Sequence, residues 1–273
     1  MESFGQRKRD PFLTEELYYE AITRFNELMT DNDFPEDRVI LLANRTQSNA
    51  KNMSFYRASA MVEIVLRRYS GGEDIKGIRE AVINMFEDFN RHCQAFDKVY
   101  NLWEADSYYY AMLWLSWAVL FNLPQYVPMA ATFINRDPDK GHDPFIHTLF
   151  AALGVPNFPG KDTQLLHPDP YEILCEGLRG DRDKQQVSMS VYLKRWYKGE
   201  AIKGCYWHDR HKRAPENHFG YWAFETGMLT ALNGLDDSSY RDLNFYPRDL
   251  VDYGKEQGWH KELIANLRAC PNK

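Results

Sequence analysis

Residues 75–96, which read IKGIREAVINMFEDFNRHCQAF, decide the fold class of this chain. Apolar side chains recur in this run at steps of three and four residues, which is the spacing of one face of an α-helix. They are Ile75, Ile78, Val82, Met85, Phe89, Cys93 and Phe96. The run therefore predicts an amphipathic helix that buries this stripe and exposes the charged side chains between its members.

The helical pattern extends on both sides of this run. Thr14, followed by Glu15 and Glu16, predicts a helix start, because a hydroxyl N-cap and acidic side chains both favour the positive end of the helix dipole. A longer helical segment follows Pro35 and stops at Tyr69-Ser70-Gly71-Gly72, where glycine can adopt the left-handed conformation. Residues 106–123 are apolar nearly all round and predict a central, buried helix that ends at Pro124.

The second half of the chain continues this pattern. Asp143-Pro144 and Asp169-Pro170 each predict an N-cap with proline at the first helical position. Further helices are expected near residues 187–198 and 218–232, and no run alternates with the period of a strand. The loop 154–167, rich in Pro and Gly, separates an N-terminal region, 1–150, from a C-terminal region, 168–273. We expect an all-α protein: a single compact multi-helix bundle built from these two halves.

Composition limits the class of partner. The 273 residues are 44% hydrophobic and 15% aromatic, which is typical of a packed globule. The formal net charge of −6 argues against direct nucleic-acid binding, because phosphate recognition needs a basic face. A mildly acidic protein is better suited to a basic partner.

Several features favour a cytoplasmic protein. The four cysteines are far apart and form no CxxC pair, so we expect reduced thiols. Residues 1–10 are charged and lack the apolar stretch of a secretory signal. The longest apolar run, 108–123, is shorter than the roughly 20 residues that a membrane span needs.

The densest group of histidines and acids allows an enzymatic interpretation. His142-Asp143 and His208-Asp209 are HD pairs, and His211 and His218 could add metal ligands. Such a set is typical of helical HD-type metal-dependent phosphohydrolases, in which a divalent metal activates water. A chain with eight histidines also produces such dipeptides by chance, and Asp143 precedes a proline, where capping is its natural role. We favour structural roles and keep the phosphohydrolase as the alternative function.

Two further side chains, Cys205 and Glu225, could take part in catalysis. Cys205 with His208 or His211 could form a nucleophile and base, although the spacing alone does not define such a pair. Glu225 lies among aromatic side chains on a predicted helix, where an unpaired carboxylate is costly. It could be a general base, or it could form a buried ion pair with His211, Lys212 or Arg248. We favour the ion pair.

Four ordered sequence blocks in residues 191–253 resemble the PoNi family of immunity proteins. The family shows an aromatic-Trp pair with a following His-Lys element, then Gly-Tyr-Trp-x-Phe-Glu, an Asp-Asp-Ser turn and Tyr-Pro-x-Asp-Leu-Val. The matching residues here are Tyr206-Trp207, His211-Lys212, Gly220-Tyr221-Trp222-Ala223-Phe224-Glu225, Asp236-Asp237-Ser238 and Tyr246-Pro247-Arg248-Asp249-Leu250-Val251. Phe245 stands where the family often has Tyr.

The N-terminal half carries matching landmarks. They are Arg9-Asp10, Tyr18-Tyr19, Arg68-Tyr69-Ser70-Gly71-Gly72 and Tyr110-Ala111-Met112-Leu113-Trp114-Leu115-Ser116. The resemblance implies an all-helical antidote to a toxin delivered between bacteria, often by type VI secretion, and the toxins paired with this family are typically DNases. It also implies a binding protein without catalytic, metal or cofactor sites.

Under this resemblance, the signature side chains form the scaffold. Trp207, Tyr221 and Trp222 would anchor the core, Glu225 would belong to a buried pair, and Asp237 with Ser238 would form a turn or cap. The remaining signature residues are His211, Lys212, Gly220, Asp236, Tyr246, Pro247 and Asp249.

The partner implied is a cognate toxin with a basic nuclease domain, and nothing in the sequence decides between a monomer and a homodimer. The densest acidic cluster is a predicted loop between helices in which four carboxylates flank an aromatic ring. It consists of Asp31, Asp33, Phe34, Glu36 and Asp37. We expect this loop to contact the toxin, with its carboxylates standing where DNA phosphates would lie; an ordinary solvated loop is the alternative.

Overall fold

A computed structural model describes residues 2–30, 47–96, 100–134, 142–155, 164–178 and 180–258. In these ranges the regular secondary structure is helical, and there is no extended strand. A single bridge pairs Tyr100 with Ile134. The helices before residue 135 are α1 (Phe4–Arg7), α2 (Glu15–Thr30), α3 (Gln47–Ser70), α4 (Ile75–Ala95), α5 (Ala105–Leu120) and α6 (Val127–Thr132). Those after it are α7 (Pro144–Ala152), α8 (Pro168–Leu178), α9 (Arg182–Trp196), α10 (Glu200–Lys203), α11 (Arg210–Arg213), α12 (Phe224–Asn233) and α13 (Arg248–Glu256). The all-α prediction is confirmed.

Contacts between residues group the chain into two compact units that do not follow sequence order. The first unit comprises Met1–Asp97 together with Asp209–Tyr221, and the second comprises Lys98–His208 together with Trp222–Lys273. A short segment from the second half of the sequence therefore completes the unit built by the first 97 residues. The division into sequence halves, 1–150 and 168–273, stays a prediction.

The helix predicted from residues 75–96 is α4 of the first unit. Its N-cap is Asp74, whose carboxylate accepts hydrogen bonds from the backbone N–H groups of Lys76 and Gly77. Most of the expected stripe is buried: Ile78, Val82, Met85 and Phe89 have no exposed surface, whereas Cys93 and Phe96 at its end are half-buried. Helix α4 packs along α3, so the amphipathic prediction is confirmed.

The predicted helix stop at residues 69–72 is also confirmed. Helix α3 ends at Ser70, and Gly72 adopts a left-handed conformation with φ of +80°. A Cβ atom at this position would lie 1.8 Å from the carbonyl oxygen of Arg7, so the backbone of residues 7–10 can approach only a glycine. The backbone N–H groups of Arg9 and Asp10 then both donate to the carbonyl of Ser70.

The second unit is built around α5. Side chains 107–120 of this helix are buried, with the exception of the half-buried Tyr110, as expected for a helix that is apolar all round. Helices α12 and α13 pack against it. Gly227 of α12 allows α13 to pack closely against α12, because a Cβ atom there would lie 2.8 Å from Pro247 and 2.9 Å from Val251.

Two predicted helix starts differ from the structure. Asp143 caps α7 as expected, but Asp169 lies at a kink inside α8 with non-helical φ and ψ. The carboxylate of Asp169 instead accepts a hydrogen bond from the backbone N–H of Glu200 at 3.1 Å. The helix expected from residue 218 begins at Phe224, because the chain before it is extended or turned and Gly220 has φ of +103°.

Within the described ranges, no helix is both long enough and apolar enough to cross a lipid bilayer.

Candidate functional site

The acidic stretch predicted to contact a partner lies outside the described residues. This applies to Asp31, Asp33, Phe34, Glu36 and Asp37. The side chains that carry the sequence signature are described, and they form three clusters with separate sets of hydrogen bonds.

The first cluster ties the segment 209–221 to the N-terminus within the first unit. Asp10 and His218 are each 2% exposed, and Asp10 Oδ1 lies 3.0 Å from His218 Nε2. The same carboxylate accepts hydrogen bonds from the backbone N–H groups of Phe12, Leu13 and Tyr221. His218 therefore has a structural partner and is buried, which leaves little room for the ligand role considered for it.

An aromatic group lies beside this pair. The ring of Phe12, which is 45% exposed, stacks on His211 with centroids 4.1 Å apart. His211 Nδ1 lies 2.8 Å from the hydroxyl of Tyr221, which is itself buried. Burial, together with the neighbouring His218 and Lys212, lowers the pKa of His211. Lys212, the next signature residue, is exposed and pairs with Asp209 at 3.0 Å.

The second cluster surrounds Glu225 in the second unit. Glu225 is 1% exposed and lies in the first turn of α12, and its Oε1 accepts a hydrogen bond from the hydroxyl of Tyr192 at 2.5 Å. The expected ion pair with His211, Lys212 or Arg248 is wrong, because the described part of the chain places no cation beside Glu225. Lys212 pairs with Asp209, and Arg248 pairs with Asp242 and Asp249. Burial raises the pKa of Glu225 from 4.5 to about 7, although the hydrogen bond from Tyr192 opposes the shift.

Aromatic side chains enclose the Glu225 region. Trp207 is 1% exposed, and its ring lies 4.6 Å from that of Tyr109 and 5.9 Å from that of Trp196. Trp222, directly before α12, is 6% exposed, and its ring lies 6.2 Å from that of Phe224. Both tryptophans are thus placed as parts of a packed interior.

The third cluster joins Asp237 to Tyr246. The hydroxyl of Tyr246 donates to Asp237 Oδ2 at 2.8 Å, and Arg241 donates to the same oxygen at 3.0 Å. Arg241 also binds both carboxylate oxygens of Asp252. Asp236 is exposed and accepts from the backbone N–H of Ser238, which closes the Asp-Asp-Ser turn. Pro247 and Asp249 then begin α13, as its N-cap and in its first turn.

The first HD pair, His142-Asp143, is built around a capping carboxylate. Asp143 is 1% exposed, and its Oδ1 accepts from the backbone N–H groups of Phe145 and Ile146 at 3.0 Å. Its Oδ2 accepts from the backbone N–H of Leu166 at 2.9 Å, and the hydroxyl of Tyr108 donates to Oδ1 at 3.2 Å. With both oxygens occupied by backbone donors, this carboxylate serves local structure.

His208 and Cys205, the remaining candidates for a catalytic site, also make contacts within the fold. His208 Nε2 lies 3.1 Å from the carbonyl oxygen of Tyr197, and its ring stacks on that residue. Cys205 is buried and its Sγ lies 3.3 Å from the carbonyl oxygen of Ala201. Burial raises the pKa of the Cys205 thiol, which disfavours the thiolate that a nucleophile needs. In the part of the chain that is described, no three His, Cys, Asp or Glu side chains are grouped to hold a metal ion.

The sequence carries no local signal for the partners of these side chains. Tyr192 and Arg241 are ordinary members of α9 and of a loop, and neither belongs to the four blocks. No pattern along the sequence links Glu225 to Tyr192, which lies on another helix.

Comparisons with known proteins assign the chain to one family. The sequence model for the N-terminal region of PoNe immunity proteins (PoNi) matches residues 9–130, and the model for the C-terminal region of these proteins matches residues 141–250. The crystal structure of protein PA2201 from Pseudomonas aeruginosa is similar, with a TM-score of 0.68 and 16% identity over 93% of this chain and 94% of that one. At this identity, the likeness concerns the fold alone. A comparison with curated proteins found no similar sequence.

Proposed function

Because this chain belongs to the PoNi family of immunity proteins, we propose that it neutralises a PoNe nuclease toxin by binding it in a stoichiometric complex. The observation that carries the proposal is the match of both family regions, in order, to residues 9–130 and 141–250. The structural roles of the signature side chains support it, since a binding protein needs a rigid scaffold more than a reactive group.

The proposed mode of inhibition is occlusion. A DNase must present a basic groove to bind DNA phosphates. A partner with a net charge of −6 can approach such a groove with favourable long-range electrostatics, which raises the association rate. We place this event in the cytoplasm of a bacterium that is exposed to a DNase delivered by type VI secretion, where capture must precede damage to the chromosome.

The acidic stretch remains the sequence-based candidate for part of the contact. Its carboxylates, Asp31, Asp33, Glu36 and Asp37, would take the positions of DNA phosphates, and Phe34 would add an apolar anchor. Reversing these four charges should weaken toxin binding and leave the helical content unchanged. A folded variant with the affinity of the wild type would remove this stretch from the interface.

Co-purification with the nuclease domain encoded by the adjacent gene tests the proposal. The two proteins should form a stable complex, and DNA cleavage should fall linearly as this protein is added and vanish at a fixed molar ratio. Linear titration identifies stoichiometric binding, because an enzymatic antidote would act at substoichiometric amounts. Absence of a complex, or loss of cleavage far below equivalence, would contradict it.

A further inference from the structure

A surface cleft of about 330 Å³ lies in the second unit, between the start of α7, the segment before α8 and α8 itself. Its walls combine apolar side chains with two carboxylates. The lining residues are Pro144, Gln164, Leu165, Pro168, Glu172, Cys175 and Glu176. The volume suits one long side chain or a small ligand.

Buried and partly buried hydrogen bonds hold two walls of the cleft. The carboxylate of Asp143 caps α7 through Oδ1 and binds the backbone N–H of Leu166 through Oδ2. The next side chain, His167, places its Nε2 2.9 Å from the carbonyl oxygen of Leu102. The loop that carries Gln164 and Leu165 is therefore fixed against α7 and the segment before α5. Binding would need little rearrangement, which lowers its entropic cost.

The third wall carries two glutamates that have no partner among the described residues. Glu172 and Glu176 lie one turn apart on α8, and both are exposed. Neither forms a hydrogen bond or an ion pair with any part of the chain that is described. Two like charges at this spacing repel each other and destabilise the helix. A cation between them would remove this repulsion and gain two attractive interactions.

Arginine has the chemistry that this cleft complements. Its aliphatic stem can lie on Pro144, Leu165 and Pro168, while its guanidinium reaches the carboxylates. A guanidinium carries five N–H donors in a planar fork, so one arginine can bind both Glu172 and Glu176. A nuclease that grips DNA presents such arginines on its DNA-binding face.

We infer that this cleft is a docking subsite that receives an arginine side chain of the toxin between Glu172 and Glu176. The inference rests on the proposed function and deepens it, because it names one point of contact and its chemistry. It is independent of the acidic stretch at residues 31–37.

The test replaces both carboxylates by amides of the same shape. The E172Q/E176Q variant should bind the nuclease domain encoded by the adjacent gene about tenfold to a hundredfold more weakly, mainly through faster dissociation. Its melting temperature should equal or exceed that of the wild type, since a repulsive pair is lost and no internal bond is broken. Binding is measured by surface plasmon resonance at 150 mM salt, about the physiological ionic strength.

The matched control is E16Q/E20Q. Glu16 and Glu20 are also exposed and one turn apart on a helix, α2, so this variant has the same charge change outside the cleft. It should bind nearly as tightly as the wild type. Equal weakening in both variants would assign the effect to net charge, and unchanged binding of E172Q/E176Q would exclude the cleft; either result overturns the inference. If the wild type itself does not bind the nuclease domain, the proposed function fails first and the inference fails with it.

Discussion

Asp10 and His218 are hydrogen-bonded across 208 residues of sequence, and both side chains are 2% exposed. Asp10 also accepts bonds from three backbone N–H groups, of Phe12, Leu13 and Tyr221. This one carboxylate therefore organises the N-terminal turn and holds the segment 209–221 in the first unit. The segment lies within the region matched by the C-terminal family model, so the two family regions share an interior here.

Replacing Asp10 should destabilise the fold strongly. Asp10→Ala leaves His218 and the backbone N–H groups of Leu13 and Tyr221 buried without their acceptor, which should cost on the order of 3–5 kcal/mol of unfolding free energy. Asp74→Ala is the control, because it removes an exposed N-cap and should cost about 1 kcal/mol. Urea denaturation measures both. An Asp10→Ala cost no larger than the control would show that the pairing does not hold the segment.

Alanine substitutions at two glycines can distinguish the cost of backbone strain from the cost of a steric clash. Gly72 and Gly154 have φ of +80° and +89°. A Cβ atom on Gly72 would meet the carbonyl of Arg7, whereas one on Gly154 would meet no atom of the described residues within 4 Å. Gly154→Ala should cost about 1 kcal/mol, the left-handed strain alone. Gly72→Ala should cost several kcal/mol more, since the backbone near Arg7 must move. Equal losses of melting temperature would refute the steric explanation.

The sequence predicts the helices well because their signals are local. The stripe in residues 75–96, the cap at Asp143 and the stop at Gly72 each depend on residues within a few positions of one another. The pairings are different: nothing along the chain links Asp10 to His218 or Glu225 to Tyr192, because these contacts depend on how helices pack. Asp169 illustrates the limit, since the Asp-Pro pattern is that of a cap, yet its carboxylate binds the backbone of Glu200.

Glu225 should make stability depend on pH. Its pKa is raised from 4.5 to about 7 in the folded protein, so between these values the folded state holds a proton that the unfolded state has lost. Stability therefore falls as pH rises through this window, and the loss is complete above pH 7, on the order of 3 kcal/mol. Glu225→Gln retains an acceptor for Tyr192 and should remove this contribution.

The measurement is the difference in unfolding free energy between wild type and Glu225→Gln from pH 4 to 8. That difference should be flat below pH 4.5 and should shift in favour of the variant up to about pH 7. Glu256→Gln, a change at an exposed glutamate of α13, controls for the general effect of losing a negative charge. A difference that does not change with pH would mean that Glu225 titrates normally in the fold.

Asp237 and Tyr246 provide a direct test of whether signature residues act as scaffold or as contact. Tyr246→Phe removes one buried hydrogen bond and should cost about 1 kcal/mol, whereas Asp237→Ala leaves the Tyr246 hydroxyl buried without its acceptor and should cost about 2–3 kcal/mol. Asp236→Ala, at the exposed neighbour in the same turn, should change stability least. Toxin affinity, measured on the folded fraction of each variant, should stay at the wild-type value because these side chains face the interior. Lost affinity with unchanged stability would instead place Asp237 and Tyr246 at the interface.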